Sequence, residues 1–124
     1  EEEEAAAQAC GASRRLGGML AELAEGTWQP PRDGVTLDPA ETVTAALACV
    51  VQASGLREAL IQAIGFGGDT DTVAAIAGGI LGGGLTRDEV FASLPWHSQV
   101  LLPDSDVVAE VAAGLASARA LPSS

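Results

Sequence analysis

Gly65-Phe66-Gly67-Gly68-Asp69-Thr70-Asp71-Thr72 is followed at once by the small-residue run Val73 to Gly84. Three glycines within four residues give a backbone that can turn sharply and come close to a ligand. Two carboxylates follow, one residue apart and interleaved with hydroxyls. Val73-Ala-Ala-Ile-Ala-Gly-Gly-Ile-Leu then reads as a helix whose first turn carries Asp71 and Thr72. Oxygen-only donors at such a place suit Mg²⁺ or Mn²⁺. The structural alternative is that Asp69 and Thr70 simply cap a helix, a position both residue types favour.

Three other motifs do not fit this stretch. An EF-hand loop would need Asp or Asn at Val73, Gly at Ala74 and Glu at Ile80. A phosphate-binding loop would need Gly-Lys-Ser/Thr, and the chain contains no lysine. A dinucleotide fingerprint would need a third glycine at Thr70 and a strand before it.

Working outward, the flanking segments read as helices. Leu56, Ala59, Leu60, Ala63 and Ile64 form an apolar stripe on a helix that ends at Gly65. Before it, Asp38-Pro39-Ala40-Glu41 has the form of a capping box with proline at the first helical position. Val43, Ala46, Leu47 and Val50 line one face of the helix it opens, which runs to about Ala53. Glu1 to Glu25 reads as a helix with Leu16, Met19, Leu20 and Leu23 at helical spacing, and Gly17 invites a break. Gly26 to Gly34 is a loop in which Trp28 acts as a lid over the core, with adenine stacking as the lesser alternative.

Downstream, Thr86-Arg87-Asp88-Glu89 is a second capping box, opening a short helix through Ala92. Leu94-Pro95-Trp96 breaks it. Asp104-Ser105-Asp106 starts a last helix to about Ala120, with Val107, Val108, Val111 and Leu115 on its buried side. Asp104 and Asp106 are read as caps rather than as a second carboxylate site, because they follow Pro103 and head a helix. No alternating strand pattern competes, so the expected class is all-α.

Composition narrows the function classes. The 124 residues allow one small domain, and much of the 48% hydrophobic content is alanine, with only 3% aromatic. Ala74, Ala75, Ala77, Gly78, Gly79, Gly82 and Gly83 would let helices approach closely. Six basic against seventeen acidic residues give a net charge of −11, which argues against nucleic acid or an anionic membrane as partner. No apolar run is long enough to span a bilayer, and the acidic start is unlike a secretory signal. Cys10 and Cys49 lack metal or redox spacing and read as free thiols in a reducing cytoplasm. His97, the lone histidine, has no partner for a triad and reads as structural or exposed.

Gly67-Gly68-Asp69-Thr70-Asp71-Thr72-Val73-Ala74-Ala75-Ile76-Ala77-Gly78-Gly79 resembles the C-terminal signature of the ADP-ribosylglycohydrolase family, which includes the dinitrogenase-reductase-activating glycohydrolases. Glu41 to Leu47, Leu56 to Ile64 and Leu94-Pro95-Trp96 resemble the segments around that signature, so the likeness runs from about Val35 to Trp96. The resemblance implies a compact orthogonal helical bundle, a metal-dependent hydrolase and two Mg²⁺ or Mn²⁺ ions in the complete fold. It also implies that Asp69, Asp71 and Thr72 are metal ligands, with Asp69 and Asp71 at the chemistry and Gly67 and Gly68 giving substrate room. The implied substrate is an ADP-ribosyl group on a protein side chain. Family members also carry a Thr-Asp-Asp element, and no two aspartates are adjacent here. The expectation is therefore a single helical segment, residues 1–124, matching the C-terminal part of the family domain. Its bundle and metal site would be completed by an N-terminal segment or a second chain, and it would show little activity alone. A truncated, non-catalytic binding or structural module is the alternative.

Overall fold

Helix α1 (Glu2–Glu25) carries Glu2, Glu3 and Glu4 in its first turn, where acidic side chains complement the positive end of the helix dipole. It stops at Gly26, whose left-handed φ of 77° lets its own amide donate to the Leu23 carbonyl and the Thr27 and Trp28 amides bond back to the Glu22 carbonyl. The computed structural model describes residues 1–120. The break invited by Gly17 does not occur, because Leu16, Met19, Leu20 and Leu23 are all half-buried and hold the helix along α2.

Helix α2 (Pro39–Gln52) is the centre of the molecule, lying against α1, α3 (Leu56–Gly65) and α4 (Thr70–Gly82). That position explains why its buried residues are not confined to one stripe. Thr42, Thr44, Ala45, Ala46, Ala48 and Cys49 are all buried, while Val43, Leu47 and Val50 are half-buried. Side chains this small are what three neighbours on one helix permit. The two buried hydroxyls bond within the helix, Thr44 to the Ala40 carbonyl at 2.7 Å and Thr42 to the Asp38 carbonyl at 3.1 Å, so neither is left unsatisfied. Ala59 and Ala63 of α3 and Val73 and Ala77 of α4 complete the core, each fully buried. Trp28 closes it from the loop: it is buried and meets Phe66 edge-on at 5.9 Å. It is a lid on the core, and its face is not free to stack on a base.

Helix α5 (Arg87–Ser93) opens with the expected capping box, both bonds between Thr86 and Glu89 being present. A short 3₁₀ turn (His97–Gln99) follows, and α6 (Ser105–Ala120) ends the described chain. Here the structure corrects the sequence. Val107, Val108, Val111 and Leu115 are more than half exposed, and every other residue of α6 is exposed too. Periodicity identifies an apolar stripe but says nothing of whether another element stands opposite it. Among the described residues no strand forms, and the one β-type pairing is an isolated parallel bridge between Val35 and Gly68. The fold is all-α.

The two cysteines differ in environment. Cys10 is exposed, whereas Cys49 is buried in α2, and burial pushes its thiol above the ordinary value. A thiol-specific reagent at neutral pH is therefore expected to label one cysteine per native chain, Cys10, and two after denaturation. A raised folded-state value stabilises the fold below the unfolded thiol's pKa, and that contribution is lost as pH rises through the folded value. Thermal melts above about pH 9 should accordingly show a loss of stability that Cys49→Ala reduces.

Candidate functional site

The turn between α3 and α4 is built on backbone geometry. Gly67 and Gly68 have φ of 74° and 75°, the left-handed region that side chains rarely adopt. Two hydrogen bonds hold this turn to the loop ahead of α2: the Val35 amide donates to the Gly67 carbonyl at 3.0 Å, and the Asp69 amide donates to the Val35 carbonyl at 2.8 Å. The approach is so close that a Cβ on Gly68 would stand 2.1 Å from the Val35 carbonyl oxygen. Gly34, at φ 98°, faces the turn in the same way, with a Cβ there 2.6 Å from the Gly68 nitrogen. Gly68 is thus required by chain crossing.

This crossing fixes where α4 begins. Asp69 occupies the N-cap position, yet its side chain makes no capping bond to the helix backbone. Its Oδ1 instead accepts the Thr72 hydroxyl at 3.0 Å. Asp71 stands exposed in the first turn of α4, while Asp69 is half-buried and Thr72 is exposed. The simple capping alternative therefore does not describe Asp69. The structure brings Asp69, Asp71 and Thr72 to one helix start, with Gly67 and Gly68 directly before them.

The donors are hard oxygens, the type Mg²⁺ and Mn²⁺ take, but they are few. Among the described residues, no group of three or more His, Cys, Asp or Glu side chains could hold a metal ion. Two carboxylates and a hydroxyl fit such an ion in kind and fall short of its usual six ligands in number. Other predicted features lie elsewhere. Asp104 precedes α6 with a positive φ of 53°, and Asp106 sits in that helix's first turn. His97 stacks on Phe91 at 4.7 Å, with Arg87 over the other residue's ring at 5.1 Å, and its Nδ1 lies 2.8 Å from the Leu94 carbonyl oxygen.

The contribution of Gly34, Val35 and Thr36 to this site escaped sequence reading. Gly34 marked only the end of a loop, and nothing in a single chain pairs residue 35 with residue 68.

The model of the ADP-ribosylglycohydrolase family matches residues 2–122. No curated protein and no solved structure matches the chain. The chain belongs to the ADP-ribosylglycohydrolase family, whose members act on ADP-ribosylated substrates and are generally metal-dependent.

Proposed function

We propose that this chain takes part in removing ADP-ribose from a modified protein side chain, with Asp69, Asp71 and Thr72 as its contribution to a Mg²⁺ or Mn²⁺ site. The observation that carries this reading is Asp69 itself. A carboxylate at a helix N-cap that leaves the cap unmade, is fixed by a neighbouring hydroxyl and rides on a doubly hydrogen-bonded glycine turn is held in place for something other than the helix.

In this reading Asp69 is oriented by Thr72, and Asp71 offers a second carboxylate from the same helical turn. A divalent ion bound there would orient the ribose, lower the pKa of a water and stabilise charge developing on oxygen. The exposed side of the Gly67–Gly68 turn leaves the substrate a path to the backbone. Further ligands come from a segment outside the described residues or from a second chain. Residues 1–124 then act as one helical unit of the family domain. The reducing interior of a cell is the compartment proposed, in keeping with two unpaired thiols. No helix among the described residues is long and apolar enough to cross a membrane.

Mn²⁺ titration calorimetry on the chain and on an Asp69→Asn/Asp71→Asn variant tests this. Binding in the parent chain, weakened at least about tenfold in the variant, is the expected result; a tenfold change corresponds to about 1.4 kcal/mol. Equal heats in the two proteins, or none in either, would remove these residues from the metal site. The small number of donors favours one second reading, a non-catalytic family member that binds ADP-ribose without metal. ADP-ribose binding that persists undiminished in EDTA and in the double variant would select it.

A further inference from the structure

Glu41 stands at the third position of α2, where the sequence pattern leads one to expect it to reach back to the N-cap amide. It does not. The Asp38 amide donates to the Thr36 hydroxyl at 3.2 Å, and the Asp38 carboxylate caps the helix at the Ala40 amide at 3.1 Å. Glu41 is therefore released from its local role, in contrast to Glu89, which closes its own box in α5.

Its carboxylate is spent on the preceding loop instead. Oε2 accepts the Thr36 hydroxyl at 2.9 Å, and Oε1 faces the Thr36 amide at 3.5 Å. The side chain is only 14% exposed. Arg15, from α1, brings its guanidinium to the same place: it forms an ion pair with Asp38 and lies 3.5 Å from Glu41 Oε2. From the other side, the Thr42 hydroxyl shares its one proton between the Asp38 carbonyl at 3.1 Å and the Thr36 carbonyl at 3.3 Å. Residue 36 is held through its amide, its carbonyl and its hydroxyl. The next residue back, Val35, is 2% exposed and makes both bonds to the glycine turn.

We infer that Glu41 is a positioning residue for the Gly67–Thr72 turn, acting through Thr36 and Val35 to fix where Asp69 points. Its relevance to metal binding rests on the functional reading above; the mechanical link does not. Arg15 sets one positive charge beside both carboxylates and extends the chain of contacts to α1.

The test uses the full chain as Glu41→Ala, Glu41→Gln and Thr36→Val, with two readouts. The first is amide hydrogen exchange by NMR at Val35 and Asp69, with Ala63 and Ala77 as core references. Losing a hydrogen bond to a charged acceptor should speed exchange at Val35 and Asp69 about tenfold or more in Glu41→Ala, leaving the references unchanged. Glu41→Gln, which still offers an oxygen to Thr36, should restore most of the protection, and Thr36→Val should match Glu41→Ala. Unchanged exchange at Val35 and Asp69, or equal acceleration at all four amides, would overturn the inference. The second readout is Mn²⁺ affinity, expected to fall in Glu41→Ala and recover in Glu41→Gln. If the parent chain binds no Mn²⁺, the metal reading fails while the exchange data still decide whether Glu41 holds the turn.

Discussion

A Gly68→Ala variant is expected to lose about 2–5 kcal/mol of stability and to release the turn that carries Asp69. Two costs add. A side chain at φ 75° costs about 1–2 kcal/mol in the left-handed region. The new Cβ would also fall 2.1 Å from the Val35 carbonyl oxygen and 2.6 Å from its nitrogen, so the two chains must part. Parting them breaks the bonds from Val35 to Gly67 and from Asp69 to Val35, each worth about 0.5–1.5 kcal/mol. Gly67→Ala separates the terms. It shares the positive φ, but its Cβ would meet only Gly34 Cα at 3.7 Å, an ordinary contact. Chemical denaturation should place Gly67→Ala about 1–2 kcal/mol below the parent chain and Gly68→Ala clearly lower. Equal losses in the two variants would show that strain alone is at work and that the crossing with Val35 contributes nothing.

The second large effect is expected in the core. Ala77→Leu should cost about 1–3 kcal/mol or more, although leucine is the more hydrophobic residue and an excellent helix former. Ala77 is fully buried in α4 beside α2 and α3, among Ala45, Ala46, Ala48, Ala59 and Ala63. Helices that approach over alanine leave little volume for three further carbons. Gly78, at the next position, is closely packed as well, since a Cβ there would lie 3.3 Å from Leu60 Cδ2. The companion Val73→Ala removes two carbons from the largest fully buried side chain and should cost about 2 kcal/mol through a cavity. Denaturant midpoints at constant slope would read both. A stabilised Ala77→Leu chain would mean that the α2–α4 contact is looser than described.

The sequence by itself determined the helices. Capping residues, glycine stops and apolar spacing act within a few residues of one another, so α2 through α5 begin and end close to where those signals lie. It also determined membership of the family, because Gly67 to Gly79 is a contiguous and distinctive string. The tertiary structure alone decided what the helices do to each other. It buried α2 on several sides and left the apolar stripe of α6 exposed, since a periodic pattern marks a face without supplying its neighbour. It set Arg15 of α1 beside Asp38 and Glu41, a meeting across 26 positions for Glu41 that no local pattern announces. It joined Val35 to Gly68, and only that contact between distant residues explains why the glycine turn holds Asp69 where it does. Local bonding is written in neighbouring residues; the site depends on which distant backbones meet.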